Sequence, residues 1–216
     1  TTFSVTLTAT NTVSLNGAYD ISTATFVQDF SVSSQETTPQ GIVFNNDGTK
    51  MFVIGQTGDD VNEYNLSTAF DVSTASYVHN FSIAGQETVP SGITFNNNGT
   101  KMFITGAQSP RDVEEYALSS AWDITSASHT TAYSVNSQDT APQGLFFSPN
   151  GQNMFIVGAT NDNVYHYTLS TGWDLTSTVT YVGSFDISSQ DTLPTGLTFG
   201  DSCLLYTSDA ADEHTG

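Results

Sequence analysis

Cysteine is almost absent from this chain. Cys203 is the only one in 216 residues, so no internal disulfide can form. Basic residues are nearly as scarce, because three Lys and Arg stand against 22 Asp and Glu and give a formal net charge of −19 at pH 7. Such a chain repels phosphates, which argues against a nucleic-acid partner. No apolar run reaches the roughly 18 residues of a membrane span, so we expect no membrane insertion.

The remaining composition is that of a folded protein with an uncharged polar surface. Hydrophobic residues make up 37% of the chain and charged residues only 12%, so Ser, Thr, Asn, Gln and Gly must cover much of the surface. Because this composition is common in extracellular all-β proteins, we expect an extracellular, cell-surface or virion location. The chain starts at Thr1 without an initiator Met, so we expect a processed form or a piece of a longer chain that carries remaining blades.

A repeat of about 51 residues runs through the chain. The segment "SQETTPQGIVFNNDGTKMFVIG" returns as "GQETVPSGITFNNNGTKMFITG" and "SQDTAPQGLFFSPNGQNMFIVG", and a fourth copy breaks off after "SQDTLPTGLTFG". Four prolines mark the period, with steps of 51, 52 and 52 residues: Pro39, Pro90, Pro142 and Pro194. Periods of this length are typical of propellers, solenoids and repeat arrays.

The pattern within each repeat predicts strands. "GIVFN" precedes the turn "NDGT" and then "KMFVIG", which is a hairpin pattern, and "VNEYNLS" and "SYVHNFS" follow as two more strands. Four short strands per repeat predict an all-β fold of β-propeller blades, each with four antiparallel strands. We expect three complete repeats between two partial ones, at residues 1–29, 30–80, 81–132, 133–184 and 185–202. The predicted shape is an open arc or truncated propeller, and a closed four-bladed propeller is the alternative.

The repeats also resemble known propeller families. "FNNDGTKMFVIG" and "FSPNGQNMFIVG" resemble the core of YVTN-type and lactonase-like β-propeller repeats, and "PQGIVF" resembles the first strand of NHL-type repeats. The resemblance implies the propeller fold, but such propellers include surface-layer proteins, virion components, sugar-lactone hydrolases and docking platforms. A resemblance to the lactonase-like propellers implies an active site in which unlike residues from several blades surround a central tunnel. A divalent metal, or a His and an Arg, would then lie near the mouth of the tunnel.

An acidic residue recurs in the turn before the first strand of each blade, which we call the lead turn. If the strands alternate in direction, this turn shares one face with the loop between the second and third strands. The carboxylates of that face could bind Ca²⁺, which prefers oxygen ligands. Alternatively, each acid caps its own turn by accepting backbone N–H bonds. The candidate calcium ligands are Glu36, Glu87, Asp139, Asp191, Asp60 and Asp112.

Catalytic motifs are missing from the sequence. The four histidines fall at different phases of the repeat, so they form no His cluster with metal-ligand spacing: His79, His129, His166 and His214. Three of them are predicted to be solvated strand residues. His166 stands where the other blades have Glu63 and Glu115, and it is predicted to be a surface substitution. Arg111 is the single Arg, and we expect it to pair with Asp112 or Glu114. Because the blades are so alike, we predict that the protein is not an enzyme and serves as a binding or structural scaffold for a protein or carbohydrate ligand. The alternative is a fragment of a lactonase-like metal-assisted hydrolase.

The chain ends on a stretch that departs from the repeat. After "GLTFG" a second strand should follow, but the sequence reads "DSCLLYTSDAADEHTG". Residues 203–213 resemble the in-frame translation of a transposase adapter used in sequencing libraries. We therefore predict that residues 203–216 are a non-native tail and that Cys203 has no functional role.

Overall fold

The structure is a computed structural model that describes residues 10–14, 25–199 and 205–209. Three four-stranded antiparallel sheets follow one another along the chain, each with its strands in sequence order. Blade one contains β3 (Pro39–Phe44), β4 (Lys50–Gly55), β5 (Asp60–Leu66) and β6 (Ala75–Ser82). Blade two contains β7 (Pro90–Phe95), β8 (Lys101–Gly106), β9 (Asp112–Leu118) and β10 (Ala127–Ser134). Blade three contains β11 (Pro142–Phe147), β12 (Asn153–Gly158), β13 (Asn163–Leu169) and β14 (Val179–Asp186).

Two shorter sheets flank these blades. The first pairs β1 (Thr10–Ser14) with β2 (Thr25–Phe30), and the last pairs β15 (Pro194–Phe199) with β16 (Leu205–Asp209). Single 3-10 turns precede the fourth strand of blades one and two, at Val72–Thr74 and Ile124–Ser126. No helix in the described ranges is long and apolar enough to cross a membrane.

Each hairpin turn between the first and second strands depends on a glycine. In blade two, Gly99 has a φ of 69°, a left-handed conformation that side chains with a Cβ disfavour. The ring of Trp122 also lies over this glycine, so that a Cβ there would come within 2.3 Å of the ring. The turn and the loop before the fourth strand therefore lie together, and the backbone N–H of Trp122 donates to the carbonyl of Gly99 at 2.9 Å.

The hydrophobic core lies between the blades. The first strands pack in succession, β3 against β7, β7 against β11 and β11 against β15. One core cluster joins Phe52 and Ile54 of blade one to Phe95, Met102 and Tyr116 of blade two. Because second and third strands are covered on both sides, their apolar residues run almost continuously.

The predicted fold class is confirmed, because the chain is all-β and its complete repeats form consecutive four-stranded blades. No sheet formed by the described residues closes on itself, as expected for an open or partial propeller. The bounds that we assigned to individual blades stay predictions. Of the tail at 203–216, only the strand Leu205–Asp209 is described, and the rest lies outside the described residues. Its adapter origin stays a prediction.

Candidate functional site

The lead turns bury their acidic side chains. Each carboxylate accepts the backbone N–H two residues further on; the four are Glu36, Glu87, Asp139 and Asp191. Glu36, which is fully buried, also accepts the N–H of Thr57 at 3.1 Å. Asp139 likewise accepts the N–H of Asn161 at 3.2 Å. Because Thr57 and Asn161 lie between second and third strands, the two loops share a face, as the alternation of strands predicts.

These acids cap their own blades and do not converge on one point. Asp60 is buried and accepts the amide of Asn62 at 2.6 Å. Asp112 occupies the same place in blade two, but its Oδ1 is buried without a hydrogen-bond partner. No three of the six candidate calcium ligands, all of which lie in the described part of the chain, bring ligand atoms within 4.8 Å of one another. The hydrogen bonds are those of turn caps, and calcium binding here stays a prediction.

Blade two differs from its neighbours at two positions that lie on adjacent strands. On its third strand, Glu114 stands where blades one and three have Asn62 and Tyr165, and on its fourth strand His129 stands where they have Tyr77 and Tyr181. The two substitutions meet, because His129 Nε2 lies 2.7 Å from Glu114 Oε2. The ring of His129 keeps the contact with Tyr116, at 5.4 Å between centroids, that a tyrosine makes at this position in the other blades. Blade two therefore adds a carboxylate–imidazole pair to that contact.

The pair belongs to a buried acidic cluster on the side of blade two that faces blade one. We call Glu87, Asp112, Glu114, Tyr116 and His129 the blade-two cluster. Burial raises the pKa of Glu114 and of Glu87, and the neighbouring Asp112 raises both further. The Tyr116 hydroxyl is buried without a hydrogen-bond partner, and burial together with the nearby carboxylates raises its pKa.

The cluster has the parts of an acid–base site. Glu114 is 6% exposed, whereas the side chain of His129 is 33% exposed, so the carboxylate is shielded while the imidazole reaches solvent. A buried carboxylate that binds one ring nitrogen fixes the orientation of an imidazole and stabilises its protonated form. The ring could then exchange a proton with water or with a bound substrate.

Sequence reasoning missed this site, although a signal was present. We treated His129 as a solvated strand residue and Glu114 as a partner for Arg111. Arg111 instead donates from Nε to the carbonyl of Thr140 in the lead turn of blade three, at 3.2 Å. Aligning the repeats strand by strand would have shown unlike residues at these two positions of the adjacent strands β9 and β10.

His166 also differs from its predicted role as a surface substitution. Its ring stacks on Phe155 at 4.6 Å between centroids and at 9° between planes, and Nε2 lies 2.9 Å from Asn153 Oδ1. Burial lowers the pKa of His166, which keeps the ring neutral near pH 7. The residue is therefore part of the packed face of blade three.

Solved structures show the same propeller fold, while no protein-family model and no curated protein matches the chain. A Bacteroides uniformis protein assigned as a 6-phosphogluconolactonase matches with a TM-score of 0.55 at 9% identity, over 78% of this chain and 46% of its own. The periplasmic gluconolactonase of Pseudomonas aeruginosa matches with a TM-score of 0.52 at 14% identity, over 85% and 44%. Hydrazine synthase of Kuenenia stuttgartiensis matches with a TM-score of 0.55 at 16% identity, over 87% and 47%.

These matches correct one prediction. We expected a protein that is not an enzyme, but the structures that share its blades carry the names of sugar lactonases, in two Bacteroides proteins and in Pseudomonas aeruginosa. The prediction that the protein is not an enzyme was therefore wrong. At 9 to 14% identity the likeness shows the fold alone. The chain spans about half the length of the proteins it matches.

Proposed function

We propose that this chain is part of a lactonase-like propeller that hydrolyses sugar lactones, with the blade-two cluster as its acid–base site. The observation that carries the proposal is the Glu114–His129 pair, which breaks the repeat on two adjacent strands and joins a buried carboxylate to a partly exposed imidazole. The lactonases among the matched structures suggest the substrate class. Membership of the YVTN, NHL or lactonase-like repeat family is part of this proposal.

The proposed reaction needs only water and the lactone. His129 takes a proton from water as its oxygen attacks the lactone carbonyl carbon. The ring C–O bond then breaks, and the proton passes to the departing ring oxygen, which gives the hydroxy acid. Glu114 holds the imidazole through Nε2. The divalent metal implied by the resemblance would find one suitable oxygen in Asp112 Oδ1, which is buried without a hydrogen-bond partner.

Hydrolysis of δ-gluconolactone by the 216-residue chain tests the proposal. We expect acid release above the spontaneous rate, followed in a weakly buffered solution with a pH indicator. His129→Asn should lower kcat by roughly 100-fold or more, because general acid–base catalysis contributes factors of about 10² to 10⁴. Glu114→Gln should also lower kcat, because the neutral amide stabilises the imidazolium less.

The matched control is His166→Gln, which removes a hydrogen-bonded imidazole from the packed face of blade three. We expect this variant to keep the rate of the unmodified chain. A chain that releases no acid above the spontaneous rate would contradict the proposal. An equal loss in all three variants would also contradict it, because the effect would then come from folding.

A further inference from the structure

We propose that Glu63, His79 and Asp123 form a binding site for a divalent transition-metal ion such as Zn²⁺, which joins blade one to blade two. A carboxylate oxygen of Glu63, a ring nitrogen of His79 and a carboxylate oxygen of Asp123 all lie within 4.8 Å of one another. Glu63 and His79 face each other on β5 and β6, and Asp123 precedes the 3-10 turn of the next blade. One imidazole and two carboxylates are a ligand set that Zn²⁺ accepts.

Two of the three ligand atoms have no hydrogen-bond partner. Glu63 is 1% exposed. Its Oε2 and the Nε2 of His79 are 3.1 Å apart, but they are not oriented for a hydrogen bond, and neither atom makes another one. Buried polar atoms are nearly always paired in folded proteins. An ion held by both atoms would satisfy them without a change of fold.

At the interface between blades two and three, the position that corresponds to Glu63 has no metal-binding geometry. Glu115 of blade two corresponds to Glu63, but its Oε2 accepts the backbone N–H of Leu175 at 2.7 Å. The residue opposite Glu115 is Thr131, where Glu63 faces His79. The glutamate oxygen therefore lacks a hydrogen-bond partner only in the blade where a histidine lies opposite it. This is the pattern that we expect if the two residues bind a metal ion together.

The surrounding charges suit a dication. Lys50 Nζ binds the other oxygen of Glu63 at 2.6 Å and the carbonyl of Trp122 at 2.9 Å, so it does not occupy Oε2. Two carboxylates against one ammonium leave a net negative charge. Hydrogen bonds from Thr125 hold one oxygen of Asp123, and its second oxygen is left to bind the ion. His79 and Asp123 are partly exposed, so water can complete the coordination.

The alternative is that His79 is an imidazolium that pairs with the two carboxylates and binds no metal. Titration of the tag-free 216-residue chain with ZnCl₂ after treatment with EDTA separates the two. At free Zn²⁺ about 100-fold above Kd, one site should raise Tm by roughly 5 to 10 °C. Co²⁺ should give visible absorption bands that report nitrogen and oxygen ligands.

The control variants decide where the ion binds. His79→Asn should lose both the Tm shift and the Co²⁺ bands. Asp123→Asn serves as a second ligand variant should His79→Asn fail to fold. His129→Asn, which removes the other imidazole that contacts a glutamate, should keep the full shift. No response to either metal would overturn the proposal, as would a response that survives in both ligand variants or disappears in His129→Asn. None of these readouts depends on lactone hydrolysis, so this proposal and the proposed function can fail separately.

Discussion

The two interfaces between complete blades use the same scaffold with different polar chemistry. Both place a lysine of the second strand against a glutamate of the third, Lys50 with Glu63 at 2.6 Å and Lys101 with Glu115 at 2.7 Å. Between blades two and three, the glutamate also binds the backbone N–H of Leu175, so the ion pair is locked to the next blade. Between blades one and two, Glu63 makes no such bond, and the ion pair contacts the next blade through Lys50 Nζ, which donates to the carbonyl of Trp122 at 2.9 Å. Equivalent residues therefore do not guarantee equivalent interactions.

Blade three shows how far this position can change. Asn153 and His166 replace the lysine and the glutamate, and they still bind each other at 2.9 Å. Blade three also has a phenylalanine next to this pair, because the ring of His166 stacks on Phe155. In blade three, a neutral hydrogen-bonded pair therefore stands where blades one and two have an ion pair.

The largest expected effect comes from breaking the locked ion pair. Glu115→Ala leaves the N–H of Leu175 without its acceptor and leaves the ammonium of Lys101 with only the more distant Asp174, at 3.9 Å. We expect a loss of about 3 kcal/mol in the free energy of unfolding. Glu63→Ala should cost less, about 2 kcal/mol, because no backbone N–H depends on it. Urea unfolding in the presence of EDTA measures both without a contribution from metal.

A double variant sharpens this comparison. Lys101→Asn with Glu115→His copies the neutral pair of blade three over Phe103, the counterpart of Phe155. We expect it to recover at least half of the stability that Glu115→Ala loses. A double variant no more stable than Glu115→Ala would show that charge, and not complementarity, holds the interface.

The free energy of unfolding should depend on pH through Glu114 of blade two. Because burial raises the pKa of Glu114, the folded state holds its proton more tightly than the unfolded state. This contribution to stability is present below the unfolded pKa of about 4.3 and is lost as pH rises through the folded pKa. Glu114→Gln stays neutral throughout, so its Tm should rise above that of the unmodified chain as pH increases from about 4 to 7. A Tm difference that is constant with pH would contradict the assignment.

The smallest expected effect concerns the buried tyrosines of the third strands. Tyr167 donates to Gln138 at 3.3 Å, whereas the hydroxyl of Tyr116 has no hydrogen-bond partner. Tyr116→Phe should therefore change the free energy of unfolding by less than about 0.5 kcal/mol or raise it, and Tyr167→Phe should lower it by about 0.5 to 1 kcal/mol. Thermal unfolding of both variants side by side is the measurement. A larger loss in Tyr116→Phe would show that its hydroxyl has a partner in solution.

The repeat made most of the fold predictable, whereas the site depended on contacts between repeats. The spacing of Pro39, Pro90 and Pro142 and the glycine turns indicated four strands per blade, because strand alternation and turn chemistry are local properties. The acids of the lead turns were correctly placed on one face, and their capping role was one of two alternatives. Neither Glu114 with His129 nor Glu63 with Asp123 could be paired from spacing, since the partners are 15 and 60 residues apart.

By itself the sequence determined the blades, their number in the described region and the positions of their turns, because these follow from interactions within about 50 residues. Only the tertiary structure decided which side chains of one blade meet those of the next. Blades that stack face to face bury the polar groups on their third strands, and burial forces each group to find a partner across the interface. The same glutamate thus becomes a locked ion-pair partner at one interface and a candidate metal ligand at the other.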